Sequence, residues 1–258
     1  MAFLTMESTL PPRTNCTHTR VFACLLLLVM LRVPSVSLAQ SVTAIGRVEL
    51  TGAPSPRTAD VSDAVVWLNR LGDATEVQPP RSQRRLRLVQ KNKSFSPHVL
   101  VVQVGEPVEF PNSDPFFHNV FSLFEGKRFD LGLYEAGTSR TVVFDRPGIS
   151  YIFCNIHPEM SAVVVALRTP YYGISDRKGV ITISNMPPGR YEMHVWDERA
   201  LPEDLSTLTR TFEISESAHS LGVLRLAEQR SALLSHKNKY GQDYESPTPN
   251  LPVYAHPE

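Results

Sequence analysis

Residues 86–167 form a train of short apolar runs cut by turn residues, and that spacing constrains the fold more than any other feature of the chain. The runs are 86–90, 98–104, 107–110, 118–123, 140–144, 149–154 and 162–167, with turn signals at Gly105-Glu106-Pro107, Pro111-Asn112-Ser113-Asp114 and Pro147-Gly148. Short strands at this interval bury their apolar faces only against a second sheet, which predicts a Greek-key sandwich or barrel. No helical period, internal repeat or Gly-rich phosphate loop competes with that reading. Twenty-one prolines against thirteen glycines, and Val, Thr and aromatic residues grouped between Pro/Gly/Asp punctuation, agree with an all-β chain.

The flanks carry further strands. Runs at 46–50 and 64–68 precede the train, and a polar stretch at 70–83 connects them to it. After the train come 180–184 and 191–196, a hairpin across Pro187-Pro188-Gly189, and weaker runs at 211–214 and 221–226. Each group alone is too small to be stable, because isolated hairpins are marginal in water. Joined, they have enough strands for two facing sheets. The expectation is therefore a second, discontinuous β-sandwich from residues 40–82 and 170–229, into which a domain of residues 83–169 is inserted. The ends of a compact domain lie near each other at its surface, which makes such an insertion cheap. In the competing layout, the first flank adds edge strands to a larger central sandwich. Residues 230–258 are polar and Pro-rich and read as a flexible C-terminal tail.

Residues 1–39 read as an export signal. Arg13 and Arg20 precede an apolar run of eleven residues, and Ser37-Leu38-Ala39 offers small residues for cleavage before Gln40. Eleven residues are too few for a bilayer, which takes about twenty, so no transmembrane span is expected after cleavage. Lys plus Arg and Asp plus Glu both number 26, and no long basic block exists to neutralise a phosphate backbone; nucleic acid is excluded as a partner. Cleavage would remove Arg13, Arg20, Arg32 and Glu7, leaving 23 positive against 25 negative charges. It would also remove Cys16 and Cys24. Cys154 would then stand alone in an oxidising compartment, where an unpaired thiol needs a reason.

That reason lies in Cys154-Asn155-Ile156-His157-Pro158-Glu159-Met160. A Cys at a strand end, a His three residues on and a Met three further supply thiolate, imidazole and thioether from one tight loop, a soft donor set that favours copper. A structural zinc site closes with four strong N/S ligands and has little use for a thioether. The second imidazole is His118, at the start of a strand in Phe116-Phe117-His118-Asn119-Val120-Phe121. Two His and one Cys form a trigonal plane, with a Met sulfur as a long axial ligand. His98, His194, His219, His236 and His256 are scattered without ligand spacing.

The pattern Pro-x-x-His-Asn-Val followed by Cys-x-x-His-x-x-Met resembles the cupredoxins, the blue copper proteins, and the short loop is most similar to that of amicyanin. Residues 94–168, with Phe95-Ser96-Pro97, Gly105-Glu106-Pro107-Val108-Glu109-Phe110-Pro111-Asn112 and Pro147-Gly148, look like the plastocyanin-like proteins of bacterial periplasms. The resemblance implies one copper per chain held equatorially by His118, Cys154 and His157 and axially by Met160. It implies that Asn119 pins the loops near the thiolate, and that the exported protein is periplasmic. Two Phe residues before His118 depart from the usual polar or Pro-containing approach and imply a more apolar rim. Gly46-Arg47-Val48, 63–68, 176–181 and Met186-Pro187-Pro188-Gly189-Arg190-Tyr191 look like the halves of a carboxypeptidase regulatory-like (transthyretin-like) sandwich, a family that implies no catalytic role.

Enzymatic readings fail on the residues present. A multicopper oxidase or nitrite reductase needs further His clusters, and the sequence has no His-x-His pair. The binuclear copper centre of cytochrome oxidase needs a second Cys in the loop, where position 158 is Pro. A cysteine hydrolase needs an activated thiolate with an oxyanion-stabilising group, which this loop does not offer. The expectation is a non-catalytic type 1 copper protein that passes one electron to a redox partner through the edge of His157, ringed by Phe116, Phe117 and Pro158. The alternative is a binding protein in which copper is stored, delivered or merely stabilises an adhesion-type sandwich.

Overall fold

Strand β1 (Val42–Thr51) alternates buried and exposed side chains along almost its whole length, the period-two signature of a sheet with one wet face. It pairs antiparallel with β14 (Val180–Met186) and parallel with β17 (Ser220–Ala227). A four-stranded sheet in the order β13 (Tyr172–Ile174), β2 (Val65–Arg70), β15 (Gly189–Trp196), β16 (Arg210–Ile214) accompanies it. Trp67 lies opposite His194 and Val65 opposite Trp196 in the β2/β15 register, so the first flank pairs with the second across the whole intervening train. This computed structural model describes residues 41–52, 60–72, 85–123, 126–228 and 236–244. The expected export signal, most of the 70–83 connector and the rest of the tail lie outside the described residues.

The intervening train forms its own pair of sheets. One has the order β10 (Ser139–Val143), β7 (Pro107–Pro111), β3 (Leu86–Arg87); the other has β6 (Val99–Gln103), β12 (Ser161–Leu167), β11 (Gly148–Cys154), β8 (His118–Ser122), β9 (Phe129–Tyr134). A small hairpin of β4 (Val89–Lys91) and β5 (Ser94–Ser96) turns through Asn92 and Lys93, both at φ 55°. Leu88, Val108, Phe110, Val142 and Phe144 of the first sheet and its borders meet Val102, Val120, Ile152, Ala162 and Val164 of the second in one buried core.

Strand β12 explains why the train does not stand apart from the flanks. Its sequence is a nearly unbroken apolar run, which fits a strand buried on both faces. Ala162, Val164 and Ala166 face the train's own core, whereas Val163, Val165 and Leu167 join Val99 and Val101 in the core of the flanking sheets. Each such side chain gives about 1.5–3 kcal/mol relative to leaving it exposed. The flanking sheets therefore close their core partly on the back of the β6–β12 sheet. Thr169, just after β12, donates its hydroxyl to Leu68 O at 2.7 Å and ties the junction to β2.

Sequence pattern missed β5, β9 and β13. In β9, Asp130 and Gly132 (φ +65°) interrupt the apolar alternation, and the strand is tolerated because it lies at a sheet edge and pairs only with β8. A short helix, α1 (Pro202–Ser206), starts on Pro and buries Leu205 in the flanking core.

Candidate metal centre

His118 opens β8 and Cys154 closes β11, and the two strands are neighbours: Cys154 pairs with Val120. The pairing brings the two side chains to the same end of the train's sandwich. Beyond Cys154 the chain folds back on itself, because the Met160 N–H donates to His157 O at 3.1 Å and the Cys154 N–H donates to Met160 O at 3.2 Å. This tight loop returns His157 to the cluster.

The result is a triangle of donor atoms. Cys154 Sγ lies 3.6 Å from His118 Nδ1 and 3.5 Å from His157 Nδ1, and the two nitrogens are 3.1 Å apart. A point in that plane equidistant from all three atoms is about 2.0 Å from each, the length of a metal–imidazole bond. His118, Cys154 and His157 form the described residues' one group of potential metal ligands of this kind. A soft sulfur with two imidazoles is a donor set whose chemistry fits copper. Met160 is fully buried in the same core cluster as Cys154, at the end of the loop that carries His157.

Without a cation the three donors are held neutral. Burial pushes the Cys154 thiol up, although the backbone N–H groups of Ile156, Asn119 and His157 oppose this by hydrogen-bonding to it. Burial lowers His118, partly opposed by Asp114, and it lowers His157 to about 4, with His118 and Lys93 adding to the effect. Metal binding at neutral pH must therefore displace a thiol proton, while the imidazoles are already in their ligating form.

Asp114 orients His118. The imidazole Nε2–H donates to Asp114 Oδ2 at 2.9 Å, which leaves Nδ1 unprotonated and aimed at the cluster. Burial opposes ionisation of Asp114, but the Lys93 N–H, His118 and the Asn92 N–H together hold its carboxyl below the usual range. The two backbone donors lie at 3.0 and 2.6 Å, so the same carboxylate grips the tip of the β4/β5 hairpin. Asn112 steadies Asp114 in turn by accepting its N–H at 3.0 Å. Sequence reading placed Asn112 and Asp114 in a turn, with Asn112 also closing a plastocyanin-like motif, and gave neither a role beside His118; a carboxylate four residues before a candidate ligand His was the signal available.

Asn119 sits where the resemblance implied and acts through its backbone as well as its side chain. Its N–H points at the sulfur, its carbonyl accepts the Asn155 N–H at 2.9 Å, and its amide donates to Asp130 at 2.6 Å. The rim is apolar as anticipated. Phe116 packs against both imidazoles, at ring-centre distances of 5.3 and 5.5 Å, with the Lys93 ammonium 5.6 Å from its ring centre. Phe117 and Ile156 are large exposed apolar side chains near the ligands in sequence, and Pro158 is exposed.

A β-sandwich with one cysteine sulfur and two imidazoles converging at one end is the fold and donor set on which the sequence's resemblance to the cupredoxins rests. Among solved structures, the chain is similar to a purple cupredoxin from Nitrosopumilus maritimus, with 24% identity over 32% of this chain and 99% of that chain and a TM-score of 0.30. It is similar to a reduced amicyanin variant, at 16% identity over 39% of this chain and 98% of that one, TM-score 0.31. A copper-containing nitrite reductase from Thermus scotoductus matches at 22% identity over 39% of this chain and only 26% of its own length, TM-score 0.32. No protein-family model and no curated protein matches the chain.

Proposed function

We propose that this chain is an exported, periplasmic type 1 copper protein that holds one copper through His118, Cys154 and His157, with Met160 as axial ligand, and transfers single electrons without catalysing a reaction. The observation that carries this reading is the triangle of one sulfur and two nitrogens with sides of 3.1–3.6 Å. Bound copper would supply a one-electron couple. The chain's part is to keep the donors where both oxidation states accept them. Asp114 fixes one imidazole, three backbone N–H groups address the sulfur, and the loop hydrogen bonds between Cys154, His157 and Met160 fix the rest. Little has to move when the charge changes. The exposed apolar residues Phe117 and Ile156 supply a contact surface for a partner that the near-neutral chain does not steer electrostatically.

The β2/β15 pairing supports reading residues 83–169 as a cupredoxin domain set into a carboxypeptidase regulatory-like sandwich of residues 40–82 and 170–229. In that reading the flanks are a platform and contribute no ligand.

Titration of the full chain with cupric ion, followed by its visible spectrum and a reductive titration, tests the proposal. One equivalent should produce an intense thiolate-to-copper band that bleaches reversibly on reduction, and Cys154→Ser should abolish it. A chain that stays colourless with cupric ion refutes the reading, and copper released on reduction favours storage or delivery instead.

A further inference from the structure

Residues 236–244 fall within the stretch that reads in sequence as a tail, yet they are seated on the base of the metal loop. The Tyr244 hydroxyl donates to Cys154 O at 2.9 Å and lies 3.1 Å from His236 Nε2. A phenol has one proton and a carbonyl only accepts, so His236 must present Nε2–H to the phenol oxygen. The His236 ring also stacks on Phe153, the residue before the ligand Cys, with ring centres 3.9 Å apart and planes within 15°.

Lys239 closes a second set of contacts. Its N–H donates to Asn155 Oδ1 at 2.9 Å and its ammonium bonds Asp130 Oδ2 at 2.8 Å. Asp130 accepts the Asn119 amide at 2.6 Å, and Asn119 O accepts the Asn155 N–H at 2.9 Å. The four residues form a closed ring of hydrogen bonds that joins β8, β9, the metal loop and the tail.

We propose that residues 236–244 are a strap that locks the Cys154-Asn155 backbone, with Tyr244 and Lys239 as positioning residues for the metal centre. The strap satisfies the Cys154 carbonyl at the point where β11 ends, and it holds the side chain of Asn155, whose backbone N–H is already bonded to Asn119 O. Widening the loop then breaks bonds to the strap as well as the bond to Asn119. Rigidity of the thiolate ligand would come from residues 84 and 90 positions downstream of their partners, supplied by a segment with no strand or helix of its own. The function of the lock rests on the copper reading; its existence does not.

The test uses full-length protein and the variants Tyr244→Phe, Lys239→Met and Lys239→Arg. In the metal-free chain, amide exchange at Cys154, Asn155 and Met160 should quicken about five-fold in Tyr244→Phe and Lys239→Met, the effect of one lost hydrogen bond. Amides of β14 should be unchanged, and Lys239→Arg should keep the parent rates by retaining the pair with Asp130. In the copper-loaded chain, Tyr244→Phe should shift the thiolate band or the copper hyperfine splitting, which a merely structural tail would leave alone. Parent exchange rates in both disruptive variants, or an equal rise in every strand, would overturn the strap. Faster loop exchange in a chain that takes up no copper would uphold the strap and sink the copper reading, so the two fail separately.

Discussion

Asp114→Asn is the substitution that best separates a designed site from a chance cluster. The parent carboxylate accepts three N–H donors: Oδ1 takes Asn92, and Oδ2 takes Lys93 and His118. Asn keeps the shape but has one acceptor oxygen, so its amide must confront at least one of these donors. If the amide faces His118, the imidazole relieves the clash by moving its proton from Nε2 to Nδ1, the atom that points at the cluster. Both residues are buried, at 5% and 0% exposure, so water cannot substitute for the lost acceptor. Losing such an outer partner of a ligating His costs about 10–100-fold in metal affinity, or about 1.4–2.8 kcal/mol. The unsatisfied donor also costs about 1–3 kcal/mol of stability, several degrees in Tm for a chain of this length. Competition with a chromogenic copper chelator measures the affinity, and nitrogen-15 shifts of the His118 ring in the metal-free chain report the tautomer. Parent affinity together with an unprotonated Nδ1 in the variant would refute the argument.

Met160→Leu should keep copper and colour while raising the reduction potential, because losing a donor disfavours the oxidised ion; a potential unchanged in a redox titration would show that the thioether does not reach the metal. Glu198 lies 2.6 Å from His98 and its hydrogen bond holds the imidazole above its ordinary range, against burial, with Asp63 assisting. Since the folded value lies above 6.5, that contribution is complete below pH 6.5 and fades as pH rises through the raised value, and urea unfolding of Glu198→Gln should lack this loss. Gly179→Ala should cost at least about 2 kcal/mol in urea unfolding, because residue 179 sits at φ +78° and a Cβ there would come within 2.2 Å of Val48 O; unchanged stability would refute it.

The cluster of His118, Cys154 and His157 was legible in the sequence because its members are chemically distinctive and two of the three lie in one tight loop. A thiol, an imidazole and a thioether at spacing three need no fold to be noticed, and His118 followed from the need for a second imidazole. Most strand positions were legible too, since alternation and turn residues are local signals. Asp114 was hidden because a turn Asp and an Asp that orients a histidine look alike until the β4/β5 hairpin is seen bonded to it. Strand β9 was hidden because an edge strand tolerates Asp130 and Gly132, which local pattern counts against a strand.

What the sequence determined by itself is the chemistry of the clustered donors and the all-β texture, both properties of residue type and short-range order. Tertiary structure alone decided the rest. It turned β12 into a wall between two cores, which residue type leaves undecided because Val163 and Val164 are the same side chain facing opposite ways. It paired Trp67 with His194 across more than a hundred residues. It also set Tyr244 against the carbonyl of Cys154, a contact between a polar tail and a backbone oxygen that leaves no periodic trace along the chain. The physical reason is the same in each case: apolar burial and hydrogen-bond pairing are satisfied in space, and separation along the chain affects their closure entropy only weakly, as the logarithm of loop length.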